Sequence, residues 1–322
     1  METRLTKLLG IKHPIISAPM AYAAGGALVG AVSAAGGLGL IGGGYGEAEW
    51  LTREFGEAGN QRIGCGFITW SLAKNPALLA GALAHNPAAV MLSFGDPSPF
   101  AAQVRDSGAK LICQVQSLAH ARAAIDAGAD IIVAQGGEAG GHGASRGTLT
   151  LVPEVADLLA RAAPDIVLVA AGGIADGRGL AAALMLGAEG ALIGSRFWAS
   201  REALVHANHH AAALKADGDS TIRQTATDVA RGLDWPAEFS ARILRNDFAR
   251  RFAGQEGAKR EELTAYGSHY AAAFAAGDPD LAGVWVGEAT GFINDIPPAG
   301  DIVERIVREA EACLRRSRAA VV

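Results

Sequence analysis

One histidine stands out by its setting. The run Gln135-Gly136-Gly137-Glu138-Ala139-Gly140-Gly141-His142-Gly143 holds an imidazole among five glycines. A ring on so bare a loop is open to a ligand, and imidazole serves as base, acid or hydrogen-bond donor near neutral pH. The competing reading is an exposed, incidental histidine, with Glu138 either fixing the loop or facing solvent. Two more loops carry chemistry of another kind. Ala171-Gly172-Gly173-Ile174 runs into Asp176-Gly177-Arg178, and Gly194-Ser195-Arg196-Phe197 follows later. Glycine N–H groups and a helix N-terminus bind a phosphate dianion, and Ser195 adds a hydroxyl. Glycines that merely permit close packing are the alternative. The turn Ser17-Ala18-Pro19-Met20-Ala21 lets backbone approach a flat ring system, although a purely structural turn reads the same way.

The elements that must position these loops follow from an internal repeat. A helical segment ends in a glycine and an apolar run follows. Ala34-Ala35-Gly36-Gly37 precedes Leu38–Ile41, Ser107-Gly108-Ala109 precedes Leu111–Cys113, Ala127-Gly128-Ala129 precedes Ile131–Val133, and Leu186-Gly187-Ala188 precedes Ala191–Ile193. Glycine just past a helix end adopts the left-handed conformation at no Cβ cost. Strands are expected near 14–18, 38–41, 62–67, 88–92, 110–114, 130–133, 167–170 and 190–193. None alternates polar with apolar, as expected when both faces of a parallel strand are covered. Eight strands with helices between them predict an α/β fold, a (β/α)8 TIM barrel, whose active site lies at the strand ends where the loops above fall. From Arg201 to Gly277 no strand is apparent, and the runs 203–215, 238–253 and 257–274 read as helical. The expected domains are a barrel over 1–200 and 280–322, and a helical insertion or lid over 201–279, after strand eight. A final helix over 301–318 carries Ile302, Val303, Ile306, Val307 and Ala310 on one face.

Composition removes several function classes. The 322 residues carry a net charge of −5 and no long basic run, which argues against a nucleic-acid partner. Three cysteines do not make a disulfide framework, and no signal peptide is apparent, so a cytoplasmic setting is expected. The uncharged stretch 27–44 is broken by glycines and reads as buried helix, turn and strand rather than a membrane span. Gly37-Leu38-Gly39-Leu40-Ile41-Gly42 formally matches a dinucleotide fingerprint, but its helix-then-strand order is the reverse of what that motif needs. His206, His209 and His210 have metal-ligand spacing without a third ligand; a solvated helix is the better reading, and no metal is expected. Tyr22, Trp70, Trp198, Trp235 and Trp285 are candidates for core or for the wall of an apolar pocket.

Together these motifs resemble the nitronate monooxygenase family, once called 2-nitropropane dioxygenases. The likeness runs from Leu5 to Ser200, through His13–Met20, Gln135–Gly143, Ala171–Gly179 and Gly190–Phe197. It implies FMN across the barrel mouth, with Ala18, Pro19, Met20, Gly66, Gln114, Gln135, Gly140, Gly141, Gly172, Gly173, Gly194 and Ser195 as cofactor contacts. It also implies His142 as the catalytic residue, holding the nitronate oxygens or removing an α-proton from a neutral nitroalkane. The reaction would be oxidation of an alkyl nitronate by O2 to a carbonyl compound and nitrite, in a monomer or homodimer. Two departures appear: Ser17 stands where the family often has glutamine, and Gly66 where it often has asparagine. Two rivals remain. One is an FMN-dependent NADH reductase of quinone or enoyl-acyl-carrier-protein type on the same barrel. The other is a lyase, isomerase or binding protein using the phosphate loops alone.

Overall fold

A computed structural model describes residues 1–320; residues 321 and 322 of the expected barrel segment lie outside it. The barrel strands are β1 (Ile15–Ser17), β2 (Leu38–Gly42), β3 (Gly64–Ile68), β4 (Ala89–Ser93), β5 (Lys110–Val115), β6 (Ile131–Gln135), β8 (Val167–Ala171) and β9 (Ala191–Ile193). They close as β1-β2-β3-β4-β5-β6-β8-β9, every pair parallel, and β9 returns to β1 with Ile15 opposite Ala191 and Ser17 opposite Ile193. All eight fall where the sequence places strands.

The apolar strands hide a period of two. Ile16, Leu38, Leu40, Met91, Ile112, Ile131, Val133 and Val169 fill the barrel interior, with Leu5 and Leu9 of the first helix (Arg4–Leu9) packed among them. Their neighbours Ile15, Ile41, Val90, Leu111, Ile132 and Leu168 point to the helix layer instead. Both faces are dry, so alternation survives in the packing and vanishes from the letter code. The last helix, Ala299–Ala320, buries Ile302, Val303, Ile306, Val307 and Ala310 in that outer layer. It approaches the helix Gly177–Met185 so closely that a Cβ on Gly177 would lie 2.3 Å from the Ala310 nitrogen.

The segment after β9 differs from the expected helical insertion. It contains the strands β10 (Thr221–Gln224) and β11 (Ser240–Leu244), which pair antiparallel with Thr221 opposite Leu244. A third strand joins them from the barrel's own loop, β7 (Gly141–Gly143), with Ala241 opposite His142. The run 238–253 is therefore a strand followed by a short helix (Asp247–Phe252), and the helical reading of it was wrong. Polar residues at Arg223, Gln224 and Arg242 break the apolar pattern that marks strands, because their side chains serve as hydrogen-bond donors, described below. Short helices over Ala207–Ala213, Ala226–Ala230, Arg260–Ala265 and Gly267–Ala275 complete this cap. It has its own core around Phe248, Phe252, Leu263 and Tyr270. Residues 280–298 carry no barrel element, and Val284, Val286 and Ala289 pack against Trp198 over the mouth. Among the described residues no helix is long and apolar enough to cross a membrane.

Candidate active site

A cavity of about 1040 Å³ opens between the C-terminal ends of the barrel strands and the cap. Its floor includes Ala18, Pro19 and Met20 after β1, Gly66 on β3, Gln114 on β5 and Gln135 at the end of β6. Gly172, Gly173, Gly194 and Ser195 line one side, and Gly140, Gly141 and His142 come over the top. The thirteen residues expected to meet a cofactor or substrate thus line one cavity. The volume is at the upper end for small-molecule sites and suits a cofactor together with a substrate.

The glycines shape this cavity for identifiable reasons. Gly172 and Gly173 sit at φ 99° and 71°, a region that side-chain-bearing residues enter at a cost. At Gly194 an added Cβ would meet nothing nearer than the Ala18 Cβ at 3.7 Å, so the protein leaves that space open towards the cavity. At Gly66 a Cβ would lie 2.4 Å from the Pro19 ring. The position that often carries asparagine is therefore needed here for close contact with the turn after β1, and only its backbone faces a ligand. Ser17 is fully buried, its hydroxyl has no partner, and it does not line the cavity.

The helix Gly177–Met185 does not offer its N-terminus to an anion. The Asp176 carboxylate already accepts from Arg178 N and Gly179 N, and Glu309 accepts from Gly177 N. An anion in this cavity would have to be met by loop N–H groups near Gly172, Gly173 and Gly194, and by Ser195. The Ser195 hydroxyl oxygen accepts from Gly287 N at 2.9 Å, which leaves its own proton to donate. Glu138 fixes the loop: its carboxylate accepts from Thr148 N and Thr148 Oγ1, and its carbonyl accepts from Glu288 N in the cap. On the floor, Gln135 Oε1 accepts from both Gln114 Nε2 at 3.1 Å and Gln116 Nε2 at 3.0 Å. The Gln135 amide nitrogen and the Gln114 oxygen are then left for a ligand.

His142 is 8% exposed and is held from three sides. Its Nε2 lies 3.0 Å from each carboxylate oxygen of Asp228, on the cap helix Ala226–Ala230. The Trp235 indole stacks on the imidazole with centroids 3.4 Å apart and planes 4° apart. Phe94 meets its edge at 6.3 Å and Trp285 lies tilted at 5.7 Å. Burial pulls the imidazole below its ordinary range, Asp228 pushes it back up, and Arg231 and Arg223 add to the downward pull. The resting ring is therefore neutral at pH 7. A carboxylate has no proton to give, so Nε2 carries the hydrogen and donates.

The cap also grips the loop beneath the histidine. Arg223 donates to the carbonyls of Gly137, Gly143 and Ser240. Arg242 donates to the Gly137 carbonyl and pairs with Glu288. Burial and the neighbouring Arg242 pull Arg223 down to about 10, still charged at neutral pH. Sequence reasoning missed Asp228, Arg231, Gln116 and these two arginines. Trp235 and Trp285 are legible in the sequence as candidate pocket wall and do line this cavity, as do Tyr22 and Trp198 but not Trp70; their contact with His142 is not legible there. The available signal was a run of polar residues, which in isolation reads as solvated surface.

The histidines at 206, 209 and 210 go separate ways. His206 accepts from Asn208 N, His210 Nε2 donates to the Trp198 carbonyl, and His209 Nε2 is buried without a partner. Among the described residues no group of histidine, cysteine or acidic side chains is arranged to hold a metal ion.

Comparison with known proteins agrees with this geometry. The family model for nitronate monooxygenase matches residues 2–59 and 77–309. A nitronate monooxygenase of Neurospora crassa is 33% identical, over 99% of this chain and 96% of its own. One from Metarhizium robertsii is 36% identical, over 93% and 91%. Among solved structures, FabK from Thermotoga maritima superposes with a TM-score of 0.88 at 32% identity, covering 99% of both chains. Nitroalkane oxidase from Streptomyces ansochromogenes gives 0.81 at 27%, covering 99% of this chain and all of that one. With the family model spanning both barrel and cap, the chain belongs to the nitronate monooxygenase family and is an oxidoreductase of that kind.

Proposed function

We propose that this chain binds FMN in the barrel mouth and oxidises a small alkyl nitronate with O2 to a carbonyl compound and nitrite. The observation that carries the reading is one shared cavity. The open glycine loops at 172–173 and 194–195 and the buried, neutral His142 face the same cavity. FMN supplies two-electron chemistry when bound. The residues fit it. Loop N–H groups near Gly172, Gly173 and Gly194, with the Ser195 hydroxyl, suit a phosphate. Pro19, Met20 and the glycine at 66 leave an apolar shelf for a flat ring, and the amides of Gln114 and Gln135 suit its polar edge. Ala18, Gly140 and Gly141 contribute backbone to the same cavity.

His142 orients the substrate. As a neutral ring it can accept a proton at its free nitrogen, which matters for a nitroalkane, whose α-carbon must first be deprotonated. A preformed nitronate needs no such step and requires only orientation. The aromatic side chains Trp235, Phe94 and Trp285 exclude water around the imidazole.

A second reading keeps the fold and cofactor and changes the electron donor. A wall of glycine loops and amides that suits FMN is indifferent to the source of its electrons, so the same cavity would also serve an NADH-dependent reductase of quinone or enoyl-acyl-carrier-protein type. One experiment separates the two. The purified protein is mixed anaerobically with an alkyl nitronate and, separately, with NADH, while the visible spectrum is followed. Bleaching of a flavin band by nitronate and not NADH supports nitronate oxidation. Fast bleaching by NADH alone replaces it with the reductase, and a protein that stays colourless with added FMN removes both.

A further inference from the structure

We propose that Asp228 is a positioning residue that fixes the tautomer of His142, so that the nitrogen left facing the cavity, Nδ1, is a bare proton acceptor. The inference rests on the nitroalkane and nitronate reading above and extends it to a residue of the cap.

Three observations converge. First, Asp228 is 3% exposed, and both of its oxygens lie 3.0 Å from the same Nε2. Among the described residues that carboxylate makes no other hydrogen bond or ion pair, although Arg231 follows three residues later. A buried carboxylate with one donor is costly. A neutral asparagine would cost less to bury but could turn either its oxygen or its NH2 to Nε2, whereas a carboxylate can only accept, so the charge itself has a use. Second, Nδ1 has no protein partner among the described residues, and it is not among the buried polar atoms sealed away without one. His142 lines the cavity, so Nδ1 is the nitrogen available to a ligand. Third, the ring is held against turning over, which would leave a carbon in place of Nε2 beside Asp228. Trp235 covers one face at 3.4 Å, and strand pairing of His142 with Ala241 fixes the backbone. Asp228 is itself anchored, because Gln224 bonds Thr227 N and Thr227 Oγ1 at the start of its helix.

The step this serves balances without an oxidant. The Nδ1 lone pair takes the α-proton of a nitroalkane. The C–H bonding pair becomes the C=N bond of the nitronate, and the negative charge settles on its oxygens. The imidazolium so formed keeps its Nε2–H on the Asp228 carboxylate, which stabilises the new positive charge. Arg231, just beyond the same helix, and Arg223, from β10, oppose that charge.

The test uses holoenzyme and two readouts. In the first, protein with ¹⁵N-labelled histidine is examined by imidazole NMR, with His142→Asn used to assign the resonances. Wild type should show His142 protonated at Nε2 and bare at Nδ1. Asp228→Asn, whose amide can either accept or donate, should lose that bias. An unchanged tautomer in Asp228→Asn overturns the proposal, whatever the substrate proves to be. In the second, kcat/KM is measured for a neutral nitroalkane and for its preformed nitronate. Asp228→Asn should lose about a hundredfold or more with the nitroalkane, the scale of general-base catalysis, and change by less than about threefold with the nitronate. The acid limb of the nitroalkane profile should also move to lower pH, because the upward push from Asp228 is gone. Equal losses with both substrates, or none, overturn the proposal. Asp228→Glu, which keeps the charge, should recover the tautomer and part of the nitroalkane rate; failure to recover either counts against it. A wild type inert to both nitro substrates would sink the functional reading, while the NMR outcome would still judge Asp228.

Discussion

The barrel and the cap meet at one cavity and contribute to it in opposite ways. The barrel offers mostly backbone: loop N–H groups at Gly172, Gly173 and Gly194, and a shelf at Pro19 made possible by Gly66. The cap offers side chains: Asp228 on His142, Trp235 stacked over it, and Arg223 and Arg242 on the loop carbonyls. Backbone cradles tolerate sequence change outside the glycines. Side-chain contacts set the protonation and orientation of one imidazole. Cofactor retention should therefore follow the barrel, and reactivity should follow the cap. His142 belongs to both, since it lies on a barrel loop yet is paired as a strand of the cap's sheet.

The sharpest way to break that division is at His142 itself. His142→Ala should lower kcat/KM for a nitroalkane by roughly 10²–10⁴ while the bound flavin spectrum persists. Loss of the flavin together with the activity would mean that the histidine also holds the cofactor site together. Next comes the seam. At Gly140 a Cβ would lie 2.5 Å from Gly287 N and 2.6 Å from the Val286 carbonyl carbon. Gly140→Val should destabilise the protein by about 1–3 kcal/mol through overpacking, read as a lowered Tm. No change in Tm would show that the cap yields freely at this point.

A smaller effect is expected from Arg242→Ala, which removes donors to the Gly137 carbonyl and the pair with Glu288. About 1–2 kcal/mol should be lost locally, seen as faster amide exchange over residues 135–143. Unchanged exchange there would assign the grip to Arg223 alone. The smallest effect concerns pH. Burial holds His142 below its ordinary value of 6.5, so the ring stays neutral, and active as a base, below that pH. The acid limb for nitroalkane oxidation should fall below pH 6.5. A limb above it would mean that the push from Asp228 outweighs burial.

The same division explains what the sequence reveals. Barrel strands such as Ile131–Gln135 are apolar on both faces, and glycines mark the turns that precede them, so their positions can be read from local composition. The glycine loops can be read for the same reason, because few residues can stand there. The cap follows no such pattern. Thr221–Gln224 and Ser240–Leu244 are short and half polar, and they become strands through pairing with each other and with a loop about a hundred residues earlier. Asp228 looks like any acidic residue on a helix until that pairing brings it to His142. Tertiary context outweighs local preference in such segments.

The closing helix carries a consequence for how the chain is made. All eight barrel strands are complete at Ile193, yet the helix that covers Gly177–Met185 and neighbouring Gly26–Ala34 begins only at Ala299. A chain emerging N-terminus first must therefore carry a bare apolar stripe on its barrel wall while more than a hundred further residues are synthesised. A truncation ending at residue 298 should bind a hydrophobic dye and aggregate, and a separately supplied peptide spanning 299–320 should suppress both. If both outcomes hold, the interval of cap synthesis is when the chain is most exposed to aggregation.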